Sequence, residues 1–333
     1  MRIIAIAFAS SLLCAAGLTG QVAPNGAGVV EFLGLDEWTP DRIRSKLGGG
    51  SAPAQIHYCA ANLLEIGMAD AAVMYHSMGP KPYVVVTVIE PQHAERVRYL
   101  PAPEGAAEPV AAWHDLHRAT RDQGMAAQIG VVHYAAYRNA GREAALAKLA
   151  NRASHDEVLA LWHMIEGLAS ADDRDLAVWT LQHDPDAGDR ACAATILINF
   201  AEHDLSWWAL VRGLRDGDAG VRSACSRALN SMTRAVPRPV DWQPVAGSLR
   251  PLLGGTNLFA FSHLLETLVA TGVEAELAGL LLGGNAHLVL AYLGAKNEYE
   301  HGRARRLLVA LAGKDLGEDM ATWRRWADSL DAP

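Results

Sequence analysis

Asp184-Pro185-Asp186-Ala187-Gly188-Asp189-Arg190-Ala191 returns 32 residues later as Asp216-Gly217-Asp218-Ala219-Gly220-Val221-Arg222-Ser223. Positions 184/216, 186/218, 187/219, 188/220 and 190/222 are identical, and Leu197 matches Leu229. An echo at this interval marks stacked supersecondary units, none of which can bury its apolar face alone. In each unit the pattern predicts a first helix (about 171–183, then 204–215), the Asp-rich turn, and a second helix (about 188–201, then 219–232). An Asp suits such a turn because its carboxylate accepts the unpaired N–H groups that start the second helix. The Arg one turn later can fork to a carboxylate of the adjoining unit.

Helical periodicity extends in both directions from this repeat. Ser154-His155-Asp156-Glu157 is a capping box, followed by an apolar stripe at Val158, Leu161, Trp162, Ile165 and Leu168. Upstream, Val110, Trp113 and Leu116 mark one face, and Ile129, Val132 and Tyr134 another. Downstream, Asn257 opens a helix over 258–270, and Gly283-Gly284-Asn285 separates 275–282 from 287–294. Residues 110–330 therefore hold about seven helix pairs. The chain here resembles the HEAT family of helical repeats, including its phycobilin-lyase-like bacterial form. The resemblance rests on Asp186 and Arg190 in one unit and on Asp218, Val221, Arg222, Ala228 and Leu229 in the next, with Asp189 departing from the pattern where the second unit has Val221. It implies an α-solenoid in which Asp186, Arg190, Asp218 and Arg222 form a ladder between neighbouring repeats. The last stretch, with Asp319 as cap and Trp323 and Trp326 three residues apart, is similar to the helix that closes bacterial HEAT arrays.

Residues 31–100 read as a small α+β module. Thr39-Pro40-Asp41 starts a helix that stops at Gly48-Gly49-Gly50, and a second runs from about Ala54 to Ile66, ending at Gly67. Ala71–His76 and Tyr83–Glu90 are too rich in β-branched residues to prefer helix, and a Gly79-Pro80 turn divides them. Arg96–Leu100 is a candidate third strand, and the Pro-rich stretch 101–109 is a linker. Residues 21–30 read as a mobile leader, and 1–20 as a signal peptide: Arg2, an apolar run to Leu18, then small residues. Leu13 occupies the place where a lipoprotein box needs a small residue before Cys14, so simple secretion is preferred to lipid anchoring. Removing that segment leaves Cys59, Cys192 and Cys225, an odd set that builds no disulfide framework. Cys192 and Cys225 fall on equivalent faces of the two units, where free buried thiols are preferred.

The chemistry is sparse. A net charge of −8 argues against nucleic acid, which needs clustered Lys and Arg. No uncharged run is long enough for an integral membrane span. Asp184-x-Asp186-x-Gly188 fails as a calcium loop, since Gly belongs at position 6 and Glu at position 12, where Asp189 and Thr195 stand. The 13 His residues, among them His133, His155 and His163, show no metal-ligand spacing. No nucleophile motif is present, so no catalytic, cofactor-binding or metal residue is assigned and no cofactor is expected. Trp207-Trp208 point about 100° apart on a helix, so one suits the core and the other is a candidate partner contact. The leading expectation is an exported, periplasmic or extracellular, non-catalytic scaffold that binds another protein. The alternative is an envelope enzyme with a site in the α+β module or at its junction with the helices, using His57, Cys59, His76 and His93. A phycobilin lyase or a HEAT-type DNA glycosylase is opposed by the export signal and the acidic balance.

Overall fold

Helix dominates the computed structural model, which describes residues 20–25, 28–48, 58–78, 81–106, 110–122, 124–149 and 153–331. The targeting segment with Cys14, the expected helix start at Ala54, His57, residues 49–50, the 79–80 turn and 107–109 lie outside the described residues. At the N-terminal end sits one sheet of β1 (Gln21–Asn25), β2 (Gly28–Leu33), β3 (Asp70–Met78) and β4 (Lys81–Ile89), in the order β1-β2-β4-β3. β2 and β4 run parallel, with Val30 opposite Val84, and both outer pairs are antiparallel. The expected leader 21–30 is thus a correction: it supplies an edge strand and the start of β2. Pro24 has no N–H to give a ladder, which an edge strand tolerates. The expected third strand at Arg96–Leu100 is a second correction. A 3-10 turn covers Pro91–Arg96, and the chain beyond it bonds to helix turns instead of a sheet edge. Arg98 N–H donates to Thr256 Oγ1 at 3.0 Å and Leu100 N–H to the Arg215 carbonyl at 2.6 Å.

β4 reads as an unbroken Val run because both of its faces are buried. The two-residue period of a strand sends Val84, Val86 and Val88, with Val30 and Phe32, to one side. There they pack with Ile43 of α1 (Pro40–Lys46) and Leu63 of α2 (Ala60–Glu65) in a small core of their own. Val85 and Ile89, with Leu33 and Ala72, face the other way and join the main helical core. Each such side chain taken from water contributes about 1.5–3 kcal/mol, so the sheet is held on the helices by its apolar face. Polar groups fix the position. The buried Glu31 carboxylate accepts from the backbone N–H groups of Lys296 and Asn297 and from the Tyr83 hydroxyl. Thr87 and Tyr292 hydroxyls meet at 2.8 Å across the same interface.

The helices that follow are α3 (His114–Asp122), α4 (Gly124–Ala140), α5 (Arg142–Leu149), α6 (His155–Glu166), α7 (Ala171–His183), α8 (Ala187–Ile196), α9 (Asp204–Gly213) and α10 (Ala219–Ala235). Then come α11 (Ala246–Gly254), α12 (Leu258–Ala270), α13 (Ala278–Leu282), α14 (His287–Leu293), α15 (Glu298–Ala312) and α16 (Met320–Asp328). α7 packs on α8 and α9 on α10, while α7, α9 and α11 form one row and α8, α10 and α12 another. α3 and α4 break sequence order by lying back over α8 and α10. α4 is pinned there: its Ala135 N–H donates to Ser231 Oγ at 3.1 Å, and Asn139 Nδ2 donates to the Ala235 carbonyl at 2.9 Å. On its other side Trp162 Nε1–H donates to the Gly130 carbonyl, and buried Asn199 takes the Tyr134 hydroxyl proton and an Arg138 N–H. At the far end Asp319 caps α16, and buried Trp323 stands edge-on to Trp326. Among the described residues no single helix is long and apolar enough to cross a membrane.

Candidate functional site

The repeated turn is the first place to look, and its four marked residues divide into two jobs. Asp186 accepts from Asp189 N–H and Asp218 from Gly220 and Val221 N–H, so each caps the helix that follows it. Arg190, 1% exposed, forks onto the next unit: its Nε and Nη2 donate to the two Asp216 carboxylate oxygens at 2.8 and 2.9 Å. Its Nη1 donates to the Asp184 and Pro185 carbonyls. Arg222 makes the matching backbone bonds, to the carbonyls of Asp216 and Gly217, but forms no ion pair with a carboxylate among the described residues. Relative to the helix starts at Ala187, Ala219 and Leu258, the position of Asp184 and Asp216 is occupied next by Gly255. Gly255 has φ +125, and a Cβ there would lie 2.5 Å from Ile89 Cδ1 of the sheet. Arg222 instead places its guanidinium 4.1 Å over the Tyr99 ring, whose hydroxyl donates to Asp70. These residues join pieces of the fold.

The other named candidates are also engaged. Trp207 is fully buried, and its indole N–H donates to the Ala201 carbonyl, so it offers no contact surface. Trp208 is half-buried, with its N–H on the Asp241 carbonyl at 2.6 Å. His76 stacks on Tyr299 and lies 3.5 Å from Glu300, and burial lowers its pKa. His93 meets Asp36 at 3.1 Å. Cys59 sits at the N-cap of α2. These three face different partners and share no bond. Cys192 and Cys225 are free and buried, and burial pushes both thiols up beyond any reactive range. Among the described residues no three His, Cys, Asp or Glu side chains gather as a metal site.

A groove between α4, α10 and α12 has the chemistry those positions lack. Its floor is one stripe of α10: Ser223, Arg227, Asn230 and Arg234, spaced 4, 3 and 4 residues apart on one helical face. α4 forms one wall with Ile129, Val132 and Met125, and α12 the other with Phe259 and His263, while Lys148 stands at the mouth. The cavity holds about 360 Å³. Through Gln128 and Arg227, which line both, it meets a second cavity of about 260 Å³ under His117 and Arg121, reaching Gly220 at the start of α10. From Gly220 to Arg234 the helix rises roughly 21 Å.

Charge sets the groove apart. Neither cavity is lined by a carboxylate among the described residues, in a chain of net charge −8. Lys148 and Arg234 are exposed and form no ion pair with described residues. Arg227 donates to Ser223 Oγ, but its buried Nε has no acceptor. Burial lowers the Arg227 pKa, yet an arginine keeps its charge. His263 is held down to about 4, first by burial and then by Arg303 and Arg234, so it is neutral at pH 7. At the rim Met125 and Phe259 are 65% and 54% exposed, which leaves apolar surface beside the cations.

The repeat comparison did not lead to this groove, because it draws the eye to turns. The signal was present in α10 itself. Val221, Ala224, Cys225, Ala228, Leu229 and Met232 bury most of its circumference, and the polar set 223, 227, 230 and 234 is the strip left over. What sequence could not supply is that α4 crosses beside that strip. The chain matches no family model, no curated protein and no solved structure.

Proposed function

We propose that this protein is an exported, non-catalytic scaffold whose helices from 110 to 330 form a HEAT-like α-solenoid, and that the α4–α10–α12 groove receives a protein partner. The observation carrying this reading is the groove's combination of exposed apolar rim and unpaired cations, on helices held rigid by buried bonds. An exposed Phe and Met next to arginine are the side chains that interface cores favour. The alternating rows of helices and the Arg190–Asp216 joint support the solenoid, with α16 as the closing helix. Export rests on the apolar N-terminal segment. The test is site-specific photo-crosslinking in the native cell, with the photoreactive group at Phe259 and, as control, at exposed Trp179 of α7. A discrete adduct from Phe259 alone, recovered in the envelope or secreted fraction, is the expected result. No adduct at Phe259, or the same adducts from both positions, overturns the partner reading, and recovery of intact chain in the cytosol overturns export.

A further inference from the structure

We infer that the α4–α10–α12 groove recognises an acidic, apolar-bearing peptide segment of its partner, its carboxylates set on Lys148, Arg227 and Arg234 and its apolar residues on Met125, Ile129 and Phe259. This rests on the partner reading above and gives that partner its chemistry. Three observations select the occupant. Among the described residues, cationic side chains line both connected cavities and no carboxylate does, so an incoming carboxylate meets attraction at Lys148, Arg227 and Arg234. Arg227 holds its permanent charge where the two cavities meet, its guanidinium steadied by Nη1 donating to Ser223 Oγ.

The third observation is length. The floor runs roughly 21 Å along α10, the span of about six extended residues and longer than a compact metabolite fills. Arg227 and Arg234 lie seven residues apart on the same face, roughly 10 Å along the axis, between the roughly 7 and 14 Å that separate same-face residues two and four apart in an extended strand. Phe259 and Met125 stand exposed on the helices that flank this cationic row. A nucleic acid is the poorer fit. A polyanion running past the groove meets a surface of net negative charge, whereas a short acidic segment touches only the cationic strip.

The experiment measures fluorescence anisotropy of the purified full chain with a fluorescein-labelled decapeptide alternating Glu or Asp with Leu and Phe. Its partners in the assay are the same peptide with Gln and Asn in place of the acids, an oligothymidylate of equal length, and dodecanoate as competitor. The acidic peptide is expected to bind at least tenfold more tightly than its amide counterpart, and to weaken as salt rises. Lys148→Gln and Arg234→Gln each alter an exposed side chain, so the fold is retained, and each is expected to weaken binding about two- to fivefold. Equal affinity for acidic and amide peptides overturns the inference, as does unchanged affinity in the Lys148→Gln/Arg234→Gln variant. Tighter binding of oligothymidylate, or displacement of the peptide by dodecanoate at lower concentration than by unlabelled peptide, assigns the groove to another class and overturns it equally. A Phe259 adduct from the cell combined with any of those results leaves the scaffold reading standing and removes only the acidic specificity.

Discussion

Asp216→Ala is the substitution that tests the joint between the two repeat units. Asp216 does three things at once: its Oδ2 takes Arg190 Nε, its Oδ1 takes Arg190 Nη2, and the same Oδ1 accepts from Asp218 N–H at 2.8 Å. Removing it leaves a guanidinium that is 1% exposed with only the Asp184 and Pro185 carbonyls for company. Breaking a buried pair from one side costs about 3–5 kcal/mol, because an uncompensated charge stays inside. The lost turn bond to Asp218 adds roughly 1 kcal/mol. Against a total stability of about 5–15 kcal/mol, that is enough to move a urea midpoint far to the left. Arg190→Met combined with Asp216→Leu removes both charges and replaces them with apolar volume, so the double variant is expected to be more stable than Asp216→Ala alone. A double-mutant cycle followed by urea unfolding, read by tryptophan fluorescence, should return a coupling of about 2–3 kcal/mol. Arg222→Met is the internal control. Its head group lies over Tyr99 instead of a carboxylate, so its loss is expected to cost only about 1–2 kcal/mol. The reasoning is refuted by an Asp216→Ala cost below about 1 kcal/mol, or by a double variant as unstable as the two single variants added together.

Three further outcomes follow from the interface between sheet and helices and from its buried imidazoles. Gly255→Ala forces a Cβ against Ile89 at a backbone angle that side chains rarely adopt, so a loss of about 2–4 kcal/mol is expected in thermal or urea unfolding. Wild-type stability in that variant would contradict the described contact. Glu31→Ala strands the Tyr83 hydroxyl and two backbone donors at residues 296 and 297, and should cost about 3–5 kcal/mol and open the sheet–helix junction to limited proteolysis. An unchanged cleavage pattern counts against Glu31 as the clamp. Burial, aided by Arg96 and His93, holds His287 down to about 3, and burial holds His263 down to about 4, while both titrate near 6.5 when unfolded. The unfolded chain therefore binds more protons below about 6.5, and stability falls as pH drops from about 7 toward 4, by up to ~1.4 kcal/mol per pH unit for each His. Asp70 and Asp189, whose pKa values burial raises, work in the opposite direction and offset part of that slope. His263→Gln/His287→Gln should flatten the dependence measured by urea unfolding between pH 7 and 5, and an unaltered slope would exclude these groups as its source.

What sequence made legible was whatever a local rule governs. Thr39, Ser154, Asp186, Asp218 and Asp319 stand at helix starts because each offers an oxygen to free N–H groups, and the structure finds each side chain accepting one. The strands β3 and β4 were visible because β-branched residues, unbroken from Val84 to Ile89 in β4, resist helix. Residues 21–30 were misread for the opposite reason. Ala23, Pro24, Asn25 and Gly28 carry no strand signal, and only the partner strand makes them one. The course of 96–100 was equally hidden, since its hydrogen-bond acceptors are Thr256 and Arg215, more than a hundred residues away. The groove falls in the same class. Arg227 and Arg234 are legible as a polar strip on α10, while Lys148 and Phe259 join them only through the crossing of α4 and α12.

The loss of the repeat motif after Arg222 and the position of the sheet have one physical cause. A ladder needs a carboxylate at each successive turn, yet at Gly255 the space where it would stand belongs to Ile89. The chain from 96 to 100 then occupies the edge of that turn, with Arg215 donating to the Arg98 carbonyl and Tyr99 beneath Arg222. A third Asp in register would thus meet the sheet, and an Arg222 without the Tyr99 ring would keep only its bonds to the Asp216 and Gly217 carbonyls. The sheet and the extended chain take the part of the missing repeat contact. Because they do so at the turns, they leave the α10 strip from Ser223 to Arg234 uncovered. Beside that strip α4 contributes Met125, Ile129 and Val132, and α12 contributes Phe259 and His263. A chain of net charge −8 that closes its turn edge with its own residues while Lys148 and Arg234 stay exposed and without an ion pair among the described residues turns positive charge outward at the groove. That arrangement is what makes the affinity ratio between acidic and amide peptides, and not capture of a partner by itself, the decisive number.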